Sequence, residues 1–247
     1  MRVVVTRPEL SARRTAARLV ELGHAPVLLP MSQPVHKPDA AIAALRARHS
    51  ALAMTSAEAI RTLAHLGAAL ASHRSTPVLA VGKATAEAAT AIGFEQVVDG
   101  GGSGEQLAEI AAGHRRSDMT APLLYLAGKP RSPHFENGLA ARGIGFRTAE
   151  IYEMIPTNHA AATLRHALTG IAGGDRDNTG QEPSAVLLYS KETARLFFTA
   201  AETHGEALAS MRFLCLSDAV ATAIPDTFRR HAMIAEQPDE EHLFRLL

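Results

Sequence analysis

The chain has 247 residues, of which 47% are hydrophobic and 20% charged, and Lys plus Arg equals Asp plus Glu at 25 each. This composition is typical of a globular chain with one large or two small domains, and it excludes a disordered one. The zero net charge argues against nucleic acid or an anionic membrane as a partner, and the single cysteine excludes an intrachain disulfide.

The sequence also argues against export and membrane insertion. The N-terminal apolar run is too short for a signal peptide because Thr6-Arg7-Pro8 interrupts it, and no stretch of about 20 apolar residues is present. Aromatic residues, at 4%, are too few for a stacking platform on single-stranded nucleic acid. We therefore expect a cytoplasmic protein, which a single cysteine also fits.

Short apolar runs alternate with alanine-rich segments of helical length along nearly the whole chain, which predicts βα units and parallel sheets. Most runs are continuously apolar, as expected for strands covered on both faces. The predicted strands are 2–6, 25–30, 50–55, 77–81, 95–98, 122–127, 145–152, 184–189, 212–216 and 231–235. The predicted helices are 9–22, 38–48, 56–70, 83–92, 103–113, 132–142, 160–172, 191–201, 217–223 and 239–246.

The chain also repeats itself. The strand at 3–8 and the segment following it to residue 30 resemble the strand at 123–131 and the segment following it to residue 152. In the same way, 53–59 resembles 188–194, and 79–86 resembles 214–221. These repeats predict an α/β fold of two similar flavodoxin-like parallel-sheet domains, with a ligand cleft between them.

Two segments have the character of connectors. Residues 30–38 contain three prolines, and residues 150–158 are extended and include Pro156. The simplest arrangement is an inserted domain joined by a two-stranded linker, with linkers at about 31–37 and 150–157. We expect a discontinuous first domain of residues 1–33 and 155–247 and an inserted second domain of residues 37–150. The polar, glycine-rich segment 173–182 is predicted to be a mobile surface loop.

Small polar residues follow several predicted strands and open the next helix, at Thr55-Ser56, Gly82-Lys83, Ser190 and Ser217-Asp218. Ser, Thr and Asp are favoured helix caps, so each of these sites has a purely structural interpretation. The carboxyl ends of parallel strands also form the ligand crevice, where helix N-termini attract anions. The two interpretations are compatible, because a capping residue can also contact a ligand.

Common catalytic signatures are absent from the sequence, including a Walker-type loop, HExxH, paired cysteines and GxSxG. The segment 100–104 does not match the GxGxxG spacing, and we interpret it as a flexible turn whose N–H groups are available to an anion. Cys215 lies in the apolar run 213–216 and is expected to be a buried thiol. Hydroxyls and cations at strand ends therefore predict a site that holds a polyanion and acts by positioning and hydrogen bonding.

These residues resemble those of uroporphyrinogen-III synthases, in the same order and over almost the whole chain. The matching motifs are VTRP at 5–8, the ELG turn and strand at 21–30, TSAEA at 55–59, AVGKATAEAA at 80–89, SGEQLAEI at 103–110, LYLAGKPR at 124–131, LAARG…IY at 139–152, YSKETA at 189–194 and CLSDAVATAI at 215–224. Each motif is weak alone, but the ordered set is specific.

The resemblance implies a lyase that cyclises hydroxymethylbilane to uroporphyrinogen III with inversion of ring D. Water leaves, and the route passes through an azafulvene and a spiro-type intermediate in the interdomain cleft. The resemblance implies no metal and no organic cofactor. It makes hydroxymethylbilane the substrate, handed over from hydroxymethylbilane synthase, and we expect the protein to be a monomer.

The residue that matches the family's tyrosine is Tyr152, which the resemblance makes the proton donor to the departing hydroxyl. A phenol with a pKa of about 10 can donate at neutral pH. The structural alternative is that Tyr152 packs in the linker with its hydroxyl facing water. The expected substrate-binding residues are Thr6, Arg7, Thr55, Ser56, Lys83, Thr85, Gly128, Lys129, Ser190, Lys191 and Ser217. Asp218 departs from the family pattern, and it would either repel a carboxylate or stabilise a cationic azafulvene.

Two other functions stay open at this point. One is a non-catalytic two-domain binding module for an anionic small molecule, although such a module would normally carry an export signal. The other is a nucleotide-sugar transferase, although neither an acidic metal-binding motif nor a diphosphate loop is evident.

Overall fold

The computed structural model describes residues 1–114, 121–172, 175–176 and 183–247. The chain divides into two compact units, the first comprising Met1–Gln33 and Ile155–Leu247 and the second Pro34–Met154. Two strands, β3 (Ser32–His36) and β8 (Phe146–Pro156), run through the points where the chain passes from one unit to the other.

The first unit contains a five-stranded parallel sheet. From edge to edge its strands are β2 (Ala25–Leu28), β1 (Arg2–Val5), β11 (Pro183–Leu188), β12 (Arg212–Cys215) and β13 (Ala232–Ile234). Its helices are α1 (Glu9–Glu21), α7 (Ala161–Thr169), α8 (Lys191–Ala200), α9 (Gly205–Ala209), α10 (Asp218–Ala221) and α11 (Glu240–Phe244), with 3₁₀ turns at Glu202–His204 and Asp226–His231. A separate antiparallel pair joins β9 (Ile171–Ala172) to β10 (Asp175–Arg176).

The second unit is built around a six-stranded sheet. Its order is β3, β8, β7 (Leu123–Lys129), β4 (Leu52–Met54), β5 (Val78–Ala80) and β6 (Val97–Asp99), and the pairings from β8 to β6 are parallel. Its helices are α2 (Pro38–Leu45), α3 (Ala57–Ala64), α4 (Lys83–Ala91), α5 (Gly104–His114) and α6 (His134–Ala141), with a 3₁₀ helix at Gly67–His73. No helix of the described residues is long and apolar enough to span a membrane.

Helices cover both faces of each sheet, which explains the continuously apolar strands. In β1, Val3 and Val5 pack in the cluster that contains α1 and α11, whereas Val4 packs in the cluster that contains α7 and α8. In β7, Leu124 packs with α3 and Tyr125 packs with α5 and α6. Because consecutive side chains enter different cores, almost every strand position must be apolar. The predicted α/β class with parallel sheets is confirmed.

The two sheets share one arrangement but differ in chain order. The first reads β2-β1-β11-β12-β13, which is the flavodoxin-like order. By the sequence repeats, β1 corresponds to β7, β2 to β8, β11 to β4 and β12 to β5. When each strand of the first order is replaced by its counterpart, the order becomes β8-β7-β4-β5, and β6 follows in the second sheet as β13 does in the first. Equivalent strands therefore occupy equivalent positions, although the chain enters the second sheet at a different strand.

The connector expected at about 31–37 contains a strand that was not among the predicted ones, because Ser32–His36 forms β3. Pro34 lies within this strand, and its missing N–H is tolerated because β3 is at the edge of its sheet. The second connector is extended, as expected, but it is the continuation of β8.

Several predicted helices are shorter than expected. The helix predicted at 56–70 ends at Ala64, and a 3₁₀ helix begins at Gly67, where φ is +52°. The helix predicted at 160–172 ends at Thr169 because Gly170 takes a left-handed conformation, and residues 171–172 form β9 instead. The expected surface loop at 173–182 contains β10 at 175–176, and its other residues lie outside the described part of the chain.

Candidate active site

The second unit has an open pocket of about 490 Å³ at the carboxyl ends of its strands. The residues that line it are Thr55, Val81, Ser103, Gly104, Glu105, Pro130, Arg131, Ser132, His134, Phe135 and Tyr152. In open parallel sheets this edge is the usual place for a ligand. Two of the predicted site residues, Thr55 and Tyr152, therefore meet in one pocket.

A β-bulge aims Tyr152 into this pocket. Ala127 pairs with Glu150 but the next residue, Gly128, pairs with Tyr152, so Ile151 is an extra residue in β8. Ile151 and Tyr152 consequently pack in the same core cluster, although neighbouring residues of a regular strand point to opposite faces. The Tyr152 side chain is buried, with 7% of the residue exposed where it lines the pocket.

The environment of Tyr152 keeps its phenol protonated. Burial raises the pKa of Tyr152, and the negative charge of Glu58 acts in the same direction. The hydrogen bond with Ser56 and the charge of Arg61 oppose this increase without cancelling it. A phenol whose pKa is raised is a proton donor throughout the neutral range. The alternative, in which the Tyr152 hydroxyl faces water in the linker, does not match this buried position.

A second tyrosine, Tyr125, contacts Thr55 through its hydroxyl group. The Tyr125 hydroxyl is 2.6 Å from Thr55 Oγ1, and the Tyr125 ring meets Phe135 edge-on with ring centroids 4.9 Å apart. Burial raises the pKa of Tyr125, so its hydroxyl stays neutral beside that of Thr55. Sequence reasoning missed Tyr125, but its signal was present, since a tyrosine inside an apolar strand needs a hydrogen-bond partner.

Arg131 contributes a positive group to the pocket wall, but carboxylates already hold it. Its Nη1 donates to Glu150 at 2.7 Å and its Nε donates to Glu136 at 3.1 Å. Glu136 also accepts a hydrogen bond from Thr148 at 2.7 Å. This network fixes the guanidinium at the pocket, where 27% of its side chain stays exposed.

Two of the three predicted serine caps are confirmed. Ser56 Oγ accepts from the Glu58 N–H at 3.1 Å, and Ser190 Oγ accepts from the Thr193 N–H at 3.1 Å. Ser217 occupies the same position before α10, but its side chain makes no capping hydrogen bond. Ser190, Lys191 and Asp218 are exposed, whereas Ser217 is half-buried.

The remaining predicted residues of the second unit differ in accessibility. Lys83 is 84% exposed, and its Nζ lies 4.0 Å from a carboxylate oxygen of Glu87. Thr85 is buried in the first turn of α4. Lys129 is 58% exposed and lies 3.8 Å from Glu153. Gly128 is buried against the Tyr152 ring.

In the first unit, the structure uses two of the predicted residues internally. Thr6 is completely buried and donates its hydroxyl to the Leu187 carbonyl at 2.6 Å, so its side chain is not open to a substrate. The Arg7 guanidinium donates to Glu240 at 2.9 Å and lies 4.2 Å above the Tyr189 ring. The contact between Arg7 and Glu240 could not be predicted from the local sequence, because the two residues lie 233 positions apart in the chain.

Three N–H groups of the glycine-rich turn at 100–104 are occupied within the protein. Gly100 donates to Ala80 and Gly102 to Val81, both at 2.7 Å, and Gly101 donates to the Asp99 carboxylate at 3.1 Å. These three N–H groups are therefore not available to an anion, whereas Ser103 and Gly104, the last two residues of the segment, line the pocket. Among the residues that the structure describes, no group of three or more His, Cys, Asp or Glu side chains is arranged to hold a metal ion.

The family model for uroporphyrinogen-III synthase HemD matches residues 13–245. The chain belongs to the uroporphyrinogen-III synthase family. Members are lyases of tetrapyrrole biosynthesis, so the function and enzyme class predicted from the sequence are confirmed, and a mere binding module is not favoured. The substrate that the family implies is hydroxymethylbilane. No curated relative matches the sequence significantly.

Solved structures agree at the level of the fold. The uroporphyrinogen-III synthetase of Helicobacter pylori 26695 is 18% identical, with 100% of this chain and 98% of that chain covered and a TM-score of 0.61. A mutant uroporphyrinogen III synthase of the extremely thermophilic bacterium Thermus thermophilus is 20% identical, with 100% and 96% covered and a TM-score of 0.56. At this identity the likeness establishes a common fold and does not assign residues.

Proposed function

We propose that this chain converts hydroxymethylbilane to uroporphyrinogen III at the second-unit pocket, with Tyr152 as the proton donor. The observation that supports this role is the buried phenol aimed by the β8 bulge into a pocket at the strand ends. Burial raises the pKa of Tyr152, which keeps the proton in place until a basic group arrives.

The proposed reaction starts with proton transfer from Tyr152 to the hydroxyl of the substrate's hydroxymethyl group. The carbon–oxygen bond breaks and water leaves, while the ring nitrogen's electron pair stabilises the remaining carbon as an azafulvene. That carbon then forms a carbon–carbon bond to the substituted α-carbon of ring D, giving the spiro-type intermediate. The bond between this α-carbon and the bridge carbon toward ring C breaks, and the bridge carbon bonds to the free α-carbon of ring D, which inverts the ring. The proton released from that free α-carbon returns to the Tyr152 oxygen, which restores the phenol.

The substrate carries acetate and propionate carboxylates, and we assign their binding to hydroxyls and cations. In the second unit Thr55, Ser56 and Thr85 provide hydroxyls, and Lys83 and Lys129 provide charge. Lys83 and Lys129 are largely exposed, so a carboxylate can reach either of them without breaking a buried ion pair.

In the first unit we assign the same role to Ser190, Lys191 and Ser217, which are exposed or half-buried at strand ends. Arg7 belongs to this group only through the 30% of its side chain that Glu240 leaves exposed. Thr6 drops out because its hydroxyl is buried and already donated. Exposed Asp218 can contribute only to a cationic intermediate, since it would repel a carboxylate.

We further propose that the protein acts as a cytoplasmic monomer that receives its substrate from hydroxymethylbilane synthase. A single cysteine fits a reducing compartment. An unstable linear tetrapyrrole favours direct delivery, because the free bilane closes spontaneously to the type I isomer.

The test couples the purified protein to porphobilinogen and its deaminase, oxidises the products and separates the porphyrin isomers by chromatography. The wild type should shift the product from isomer I to isomer III. Tyr152→Phe should lower that rate by about 10²-fold or more, the size of a lost general acid. Isomer I alone from a folded wild type would overturn the proposal and favour an anion-binding module, while a fully active Tyr152→Phe would remove Tyr152 from the mechanism.

A further inference from the structure

Gly128 and Tyr152 face each other across the pairing of β7 and β8. A Cβ atom at Gly128 would lie 2.5 Å from the Tyr152 hydroxyl oxygen and closer still to the ring carbons. Real Cβ atoms essentially never come within 3.0 Å of another heavy atom. The phenol therefore occupies the space that the side chain of any other residue would fill.

This close approach explains a glycine that the strand itself disfavours. A glycine inside a strand costs stability through backbone entropy and offers no side chain to the core, and a close approach by another group is a common reason to retain one. Gly128 is the last buried residue of β7, whose other buried residues are Leu, Tyr and Ala. The bulge at Ile151 turns Tyr152 toward this face, and the missing side chain then makes room for the ring.

We propose that Gly128 is a positioning residue, whose missing side chain forms the seat that holds the Tyr152 phenol at the pocket. This role differs from the substrate contact expected for Gly128 from the sequence. Its catalytic meaning rests on the proposed function, but the seat itself does not.

The first experiment compares Gly128→Ala, Tyr152→Phe and the double variant in the isomer assay. Gly128→Ala should lose about 10²-fold in rate, as Tyr152→Phe does, and the double variant should be no slower than Tyr152→Phe alone. A Gly128→Ala enzyme with wild-type rate, or a double variant in which the two losses multiply, would overturn the proposal.

The second experiment needs no activity. The protein has three tyrosines and no tryptophan, so tyrosine labelled with ¹³C at Cζ gives three signals, of which Tyr152→Phe identifies one. In Gly128→Ala that signal should move and titrate at lower pH, toward the ordinary pKa of about 10, because the displaced ring loses its burial. An unchanged Tyr152 signal would contradict the seat.

A third experiment, in a Tyr152→Leu background, covers the case in which Gly128→Ala folds too poorly for the activity assay. Gly128→Ala should lower the melting temperature by about 5 °C, and the same change in a Tyr152→Leu background should lower it much less, since the smaller side chain leaves room. The control is Gly138→Ala, where a Cβ would lie 2.7 Å from the Ala108 Cβ. Its cost should be the same in both backgrounds. Equal costs of Gly128→Ala with Tyr152 and with Leu at that position would overturn the proposal.

These readouts separate the two proposals. If the wild type makes no isomer III, the proposed function fails, while the NMR signal and the melting temperatures still decide whether Gly128 seats Tyr152. If the wild type is active and the Tyr152 NMR signal is unchanged in Gly128→Ala, the positioning role of Gly128 is refuted and the proposed function stands.

Discussion

Glu240→Gln should destabilise the first unit, because one carboxylate there accepts hydrogen bonds from four side chains. Its Oε1 accepts from Thr15 at 2.6 Å, from Tyr189 at 2.8 Å and from Arg7 at 2.9 Å. Its Oε2 accepts from Arg18 at 2.6 Å. The carboxylate thereby ties α11, near the end of the chain, to α1 and to the ends of β1 and β11.

The size of the expected loss in unfolding free energy follows from the interactions that a glutamine at position 240 keeps and those that it loses. Its amide retains one acceptor oxygen, but it loses the charge and turns an NH₂ group toward donors. Hydrogen bonds to charged groups contribute about 1.5–3 kcal/mol each. The ion pairs must be discounted for solvent screening, because Arg7 and Arg18 are 30% and 47% exposed. We therefore expect a loss of about 2 kcal/mol in unfolding free energy, or about 4–8 °C in melting temperature.

The loss of unfolding free energy in Glu240→Gln should depend on pH. Burial by itself raises the pKa of Glu240, but hydrogen bonds from Thr15 and Tyr189 and the charge of Arg7 outweigh it and hold the pKa below the ordinary value. Because the folded-state pKa is the lower one, the stabilisation is complete above the ordinary carboxyl pKa of about 4.3. It disappears as the pH falls through the folded-state pKa, so wild type and variant should converge in acid.

Urea unfolding followed by circular dichroism, at neutral pH and at about pH 3 to 4, measures both effects. Glu241→Gln is the matched control, since this neighbouring carboxylate is 70% exposed and pairs with Arg245 on the surface. An equal loss in the two variants, or a Glu240→Gln loss that stays constant into acid, would refute the reasoning.

Two further predictions concern buried groups of the first unit. Thr6→Val removes the hydroxyl that donates to Leu187 at 2.6 Å and should lower the unfolding free energy by about 1–3 kcal/mol with kcat per folded molecule unchanged. Urea unfolding and the isomer assay check this, and a raised KM at unchanged stability would restore Thr6 as a substrate contact. Cys215 is completely buried and burial raises its pKa to about 12, so an aromatic disulfide reagent should modify it only as fast as the protein unfolds. Prompt modification of the native protein would contradict that burial.

Local features of the fold could be predicted from the sequence. The strands are visible because both faces of each sheet are covered, so nearly every residue in a run such as Val3-Val4-Val5 must be apolar. Ser56 and Ser190 are recognisable as caps because a cap needs only a hydroxyl placed before a helix. Helix ends were less predictable where one glycine decided them, as at Gly170, whose left-handed conformation ends α7.

The candidate site was predictable in its residue types but not in its geometry. Thr6 and Thr55 both follow apolar strands, yet one hydroxyl is buried against a carbonyl and the other lines the pocket beside Tyr125. Arg7 was expected to bind the substrate, and the structure pairs it with Glu240. Each outcome depends on a partner from a distant part of the chain.

The sequence by itself determined the α/β class, the parallel strands, the repeat and the family, because burial on two faces and ordered motifs leave their pattern in consecutive residues. Only the tertiary structure decided how Tyr152 is aimed and where it fits. Its orientation requires one extra residue in β8 relative to β7 and a glycine at the paired position. Register between strands is a relation between separate segments, and no single segment of the sequence records it.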